Sequence, residues 1–221
     1  MKKLTATEFI HMNGFTGTHP VKIDLMYVRA DHPENNFGEA LYKPDAKLWL
    51  YKDFGEVVLK AAQRVYKAYN WVLVLKDGLR PVEAQEKMAR TEIIRQNPHW
   101  LEEPGMLVSP PGTGAHPRGM AIDLAVETFC GKTVDMGTSV DHFEDNAYES
   151  PAFRNYTGFA PEILERREAL SRAFVECGRE LGQDILPFPN EWWDYRYPRE
   201  EYNRFAPVYE ADLPESMRFV A

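Results

Sequence analysis

Residues 114–125 read GAHPRGMAIDLA, and the way this stretch is read decides the fold. Taken as a strand over about 119–126, it sets Gly119, Ala121 and Asp123 on one face and Met120, Ile122 and Leu124 on the other. The second face is apolar and suits a core. The first is small, small, carboxylate, which leaves room for a group to approach Asp123. His116 precedes a Pro-Arg-Gly turn that can fold its imidazole over that space. His116 and Asp123 therefore read as a candidate pair of metal ligands, the plainer alternative being that each caps a loop or turn.

Working upstream, residues 56–69 place Val57, Val58, Ala61, Ala62, Val65 and Tyr69 on one helical face. WVLVL (71–75) follows as a buried strand. It ends at Asp77-Gly78, and Leu79-Arg80-Pro81 leads into a second helix over about 82–96, with Pro81 in its first turn. Arg80 thus stands at the end of a rigid strand, where a guanidinium can meet a developing oxyanion; a surface ion pair is the plainer reading. Residues 97–115 are rich in Pro and Gly and read as a long loop that delivers the chain to His116.

Downstream, 127–160 is mixed loop. Residues 161–182 give the clearest helix, opened by Pro161, striped by Leu170, Phe174, Cys177 and Leu181, and closed by Gly182. The first 55 residues and the tail from about 198 are irregular. Strands and helices mix without regular βαβ alternation, so the expectation is an α+β fold in a single domain over residues 1–221.

Near the end stands NEWWDYRY (190–197), with two carboxylates between aromatic residues. Carboxylates held among buried aromatics suffer raised pKa values unless a metal or an arginine lies near. The plainer reading of Glu191 and Asp194 is a half-buried strand with its charges in water.

Composition limits the partners. A net charge of −8 argues against nucleic acid or an anionic membrane surface, and no apolar run is long enough to span a bilayer. Two cysteines, Cys130 and Cys177, make no disulfide framework and read as two buried thiols. The N-terminus has two lysines without an apolar segment after them, so the expected location is cytoplasmic, or periplasmic where a signal has been removed. Oligomeric state is left open.

Taken together, these pieces resemble the D-alanyl-D-alanine dipeptidases, the zinc peptidases of vancomycin resistance and peptidoglycan turnover (peptidase family M15). The family's Ser-x-His-x-x-Gly-x-Ala-x-Asp is matched over 114–123 at every marked position but the first. Its Asp-x-x-Arg-Pro is matched at Asp77 to Pro81, and its Glu-x-Trp-His corresponds to Glu191-Trp192-Trp193-Asp194. Asn36-Phe37-Gly38 is similar to an early Asn-Phe-x-Gly, and DMGTSVD (135–141) to a segment that holds the substrate's amino end. The pieces run in the family's order from about residue 24 to 197.

The resemblance implies a small, mostly antiparallel central sheet flanked by helices, like that of DD-peptidases and hedgehog domains. It implies one Zn²⁺ held by His116, Asp123 and the residue at 194, with Glu191 as general base and then acid. Arg80 would steady the tetrahedral intermediate. The implied substrate is a small zwitterionic dipeptide such as D-Ala-D-Ala in a small closed pocket, its ammonium met by Asp141 first and Asp135 second.

Two departures matter. Gly114 replaces a serine and removes a hydroxyl that would line the substrate pocket, which points to a larger or different substrate. Asp194 replaces the third ligand, a histidine, and no histidine follows residue 142. A His/Asp/Asp set around a divalent ion is nearly neutral, which weakens the Lewis acid and admits Mn²⁺ or Fe²⁺. The alternatives are an impaired relative that binds peptides or peptidoglycan fragments without cutting, or a metallohydrolase of another small amide.

Overall fold

The computed structural model describes residues 1–102, 107–144 and 149–221. Part of the 97–115 loop, residues 103–106, lies outside the described residues. In chain order the strands and α-helices are β1 (Phe9–His11), β2 (Val21–Ile23), β3 (Trp49–Tyr51), α1 (Lys52–Tyr69), β4 (Trp71–Asp77), α2 (Val82–Ala89), α3 (Glu92–Gln96), β5 (Ala121–Thr128), α4 (Pro161–Glu180), β6 (Leu186–Pro187), β7 (Asp194–Arg196) and α5 (Arg199–Tyr202). The main sheet has the order β2-β4-β5-β7-β6. β2 joins β4 in parallel, and the other three pairings are antiparallel. β1 and β3 form a separate antiparallel pair. This is the expected α+β class with a mostly antiparallel sheet.

The core forms where α1 and α4 pack on each other and on the sheet. Val57, Val58, Ala61, Ala62 and Val65 of α1 are all buried, as the periodicity predicts, whereas Tyr69 is half exposed and stacks on Trp71. Phe174 of α4 stacks on Tyr195 of β7 with centroids 4.0 Å apart. Side chains alternate along a strand, so a Tyr195 that faces α4 turns Asp194 and Arg196 to the other side. Arg64 of α1 ties the helix pair further through Glu176 of α4 at 2.6 Å.

Several expectations change. The helix expected over 82–96 breaks at Arg90-Thr91, because the buried Thr91 hydroxyl donates to the Met88 carbonyl at 2.7 Å and closes α2. Gly119 is not part of the strand: it ends a 3-10 turn over His116–Arg118 with φ of +64°. A Cβ there would lie 2.9 Å from both Phe9 and the Tyr51 backbone nitrogen, so Gly119 serves close packing, not open space above Asp123. Leu181 follows α4 and is exposed, and Cys130 is exposed while Cys177 is buried. The first 55 residues hold three short strands. No described helix is long and apolar enough to cross a membrane.

Candidate active site

Three aspartates stand in one row across the sheet. Asp77 on β4 faces Asp123 on β5, and Asp123 faces Asp194 on β7. A bulge between Leu75 and Asp77 shifts the register and brings Asp77 opposite Asp123. All three are buried. Like charges set directly opposite each other repel, so the row needs cations, and the chain brings arginines to its two ends. Arg80 donates from Nε to Oδ2 of Asp77 at 2.8 Å and reaches Oδ2 of Asp123 at 3.4 Å. The Tyr42 hydroxyl donates to the other Asp77 oxygen at 2.7 Å, which fixes the carboxylate that aims Arg80. At the far end Arg196 donates from Nε to Oδ1 of Asp194 at 2.7 Å and from Nη2 to Oδ2.

His116 occupies the middle. The Gly78 carbonyl, 2.8 Å from Nδ1, can only accept, so Nδ1 carries the proton. In the neutral ring this leaves the Nε2 lone pair facing Oδ2 of Asp123 and Oδ2 of Asp194, each at 3.3 Å. Ligand atoms around a tetrahedral ion with bonds of about 2.0 Å stand roughly 3.3 Å apart. Oδ1 of Asp123 is buried with no hydrogen-bond partner among the described residues. Converging donors, a committed Nδ1–H and an orphaned carboxylate oxygen all fit a divalent metal ion. His116, Asp123 and Asp194 would hold it, and the Gly78 carbonyl would orient the imidazole from behind.

Without a metal, the same carboxylates draw a proton onto Nε2 instead. Burial opposes a charged imidazole, but Asp123 beside it outweighs that and raises His116 to about 10. Burial works against ionised Asp194 too, yet the Arg196 guanidinium holds it well below the usual carboxylate range. Desolvation, and then the charge of Asp194, push Glu191 up to about 8. Burial, and then Asp123, bring Asp141 to about 7. Both carboxyl groups are raised first by burial and then by neighbouring carboxylates, as at a desolvated acidic site.

Glu191 sits in the turn before β7, and its carboxylate lies within 4.8 Å of ligand atoms of both Asp123 and Asp194. Arg154 builds that turn by donating to the carbonyls of Phe188 at 2.8 Å and Asp194 at 2.7 Å. Trp192 and Trp193 are buried and pack edge to face, so they are the turn's support. Asp141 reaches the same pocket. It adopts φ of +52°, its carboxylate accepts from the Tyr27 hydroxyl, and Asn36 donates to its backbone carbonyl. Asn36 belongs to the Asn-Phe-Gly stretch, whose place in the fold is thereby explained.

Two expected substrate residues are placed elsewhere. Asp135 is exposed, accepts from the Gly137 N–H at 2.8 Å and does not line the pocket. Gly114 lines an adjoining cavity instead, with φ of +81°. A Cβ at 114 would lie 3.1 Å from Oγ of Ser109, so Ser109 puts a hydroxyl into the space that a serine at 114 would fill. The pocket itself is small, about 30 Å³ between Tyr27, Arg80, Ser109, His116, Asp141 and Glu191. The adjoining cavity, about 620 Å³, shares Ser109 and Arg196 with it.

Sequence reasoning missed Arg196, Ser109, Tyr27 and the role of Asp77. Arg196 had a signal, since residues two apart on a strand share a face and an arginine beside Asp194 is the cation that a buried carboxylate requires. Ser109 had none, because its place depends on a loop path that no periodicity encodes.

No curated protein matches the chain in sequence. Among solved structures, the Serratia marcescens L-Ala D-Glu endopeptidase ChiX aligns over 69% of this chain and 84% of its own, at 12% identity and a TM-score of 0.40, too distant a likeness to carry an argument. The decisive match is to the peptidase M15 family model, described as D-ala-D-ala dipeptidase, which spans residues 6–212 and so takes in every site residue named above. The chain belongs to the M15 peptidase family, the family of the D-Ala-D-Ala dipeptidases.

Proposed function

We propose that this protein is a metal-dependent dipeptidase that hydrolyses a short D-amino-acid dipeptide such as D-Ala-D-Ala. The observation that carries the reading is the 3.3 Å spacing of Nε2 of His116 from Oδ2 of both Asp123 and Asp194. A divalent ion bound there, zinc in the first instance, would supply Lewis acidity to an attacking water and to the scissile carbonyl. Glu191, within 4.8 Å of two of the ligands, takes a proton from the water and delivers it to the leaving amine. Arg80, held by Asp77, offers a fixed guanidinium to the developing oxyanion. Asp141 meets the substrate ammonium, and that ammonium in turn favours its ionised form. A dipeptide is larger than this pocket, so the adjoining cavity at Ser109 and Arg196 is the approach.

The test is turnover of D,D- and L,D-dipeptides by protein loaded with Zn²⁺, Mn²⁺, Fe²⁺ or Co²⁺, read as released amino acid. Cleavage of a D,D-dipeptide that is lost in Glu191→Gln supports the proposal, and no cleavage with any of these ions sinks it. One observation favours a second reading, a protein that binds such peptides without cutting them: the Arg196 fork already engages both oxygens of Asp194. That reading expects peptide affinity without metal uptake, and elemental analysis separates the two.

A further inference from the structure

Asp194 alone makes an awkward third ligand. A carboxylate turns about its Cβ–Cγ bond, and a second carboxylate around a divalent ion removes the net positive charge that sharpens a Lewis acid. The structure answers both difficulties with one side chain. Arg196 lies two residues on, on the same face of β7, and grips both carboxylate oxygens with Nε and Nη2. A two-point fork fixes the carboxylate plane in a way one point charge cannot. The guanidinium is itself held, stacked on the Phe188 ring with its carbon 3.8 Å from the centroid. Its partners across the sheet are Ala121 on β5, which is small, and Leu186 on β6. Oδ2 of Asp194 stays 3.3 Å from Nε2 of His116, on the metal side of the fork.

We infer that Asp194 and Arg196 act as one composite ligand: Arg196 is a positioning residue that aims Oδ2 of Asp194 at the metal and returns the positive charge that the carboxylate removes. An ion pair with no net charge thus stands where a neutral imidazole would. The near-neutral site expected from the ligands alone becomes one with a net positive charge. The inference rests on the metal-site reading above. It also reverses the obvious repair, because Asp194→His alone sets the new imidazole and the metal against a guanidinium that has lost its partner.

The experiment compares wild type, Asp194→His, Arg196→Met and the double variant, each titrated with Co²⁺ and followed by its visible absorption. Each single change is expected to weaken Co²⁺ binding by roughly 10–100-fold, the scale of lost outer-shell support. The double variant is expected to recover most of that loss, a non-additive cycle. Arg196→Met binding as wild type does, or a double variant that loses the product of the two single losses, overturns the inference. Should Arg196→Met fail to fold, Arg196→Lys decides: it keeps the charge without the fork and is expected to bind at least roughly tenfold more weakly with an altered spectrum. Wild-type binding and spectrum in that variant overturn the inference equally. A coupled cycle in a protein that cuts no dipeptide leaves the composite ligand standing and removes the dipeptidase reading. Turnover with an additive cycle does the reverse, and a wild type that binds no Co²⁺ overturns both.

Discussion

Two neighbouring residues of β4, Lys76 and Asp77, belong to two acidic clusters that a list of donor atoms would not tell apart. In the outer cluster Asp24, His32 and Glu34 bring ligand atoms within 4.8 Å of one another, as the groups around Asp123 do. There the chain supplies its own cation: Nζ of Lys76 lies 2.6 Å from Asp24 and also pairs with Glu34, and His32 adds a contact to Asp24 at 3.3 Å. In the inner row the arginines sit at the two ends, and Oδ1 of Asp123 in the centre has no hydrogen-bond partner among the described residues; Oε2 of Glu34 in the outer cluster makes no hydrogen bond either, but Lys76 lies against it as an ion pair. What separates a metal site from a salt-bridged cluster is not the donor types but the donors left over after internal cations are placed.

The largest contrast comes from the central carboxylate. Asp123→Asn is expected to abolish tight metal uptake, with a loss beyond the roughly 10–100-fold of an outer-shell change, while Asp24→Asn leaves metal content as it was. Metal analysis after dialysis reads both, and metal lost in Asp24→Asn would reverse the assignment. Next, Glu191→Gln is expected to lower kcat by about 10²–10⁴-fold with metal content retained. A metal loss in step with the activity would make Glu191 a ligand instead of a proton carrier.

The clusters should also part in their response to pH. Glu191 at about 8, Asp141 at about 7 and His116 at about 10 are all raised by folding. Their contributions are fully present below the unfolded values and are lost as pH rises through the folded ones. The melting temperature of the metal-free protein is therefore expected to fall between about pH 5 and 10, and added Zn²⁺ to flatten that fall. The outer pair behaves oppositely in acid. Burial works against ionised Asp24, but the hydrogen bond from Lys76 lowers it overall, so its contribution is lost as pH falls through that lowered value. Smallest of all, Lys76→Met is expected to lower stability near neutrality, where it leaves Asp24 and the more buried Glu34 without their cation, and to matter less below the carboxylate range. Chemical denaturation at two pH values checks this.

The parts of the site that were legible in sequence are those written locally. His116 and Asp123 lie on one turn and strand, Asp77 and Arg80 on one strand end, and Glu191 and Asp194 on one turn, so spacing alone brings each pair together. The parts that were not legible are settled by tertiary contact. Asp135 and Asp141 share one short segment, and only the Tyr27 hydroxyl and the left-handed backbone at Asp141 show which of them faces the pocket. The strand Val21–Ile23 is too short to announce itself and exists because β4 offers it an edge. Gly119 was readable as a small strand residue, but its positive φ and its closeness to Tyr51 come from the packing of β3 beneath it. Arg196 falls between the two kinds. Its position two residues from Asp194 was in plain view, but its meaning required knowing that Asp194 is fully buried.

Anomalous diffraction from crystals grown with Zn²⁺ shows whether His116, Asp123 and Asp194 converge on one divalent ion. A single strong peak is expected roughly 2.0–2.2 Å from Nε2 of His116, a carboxylate oxygen of Asp123 and Oδ2 of Asp194, with the Arg196 fork intact behind it. Zinc-loaded crystals without a peak there, with the imidazole hydrogen-bonded directly to a carboxylate, would contradict it.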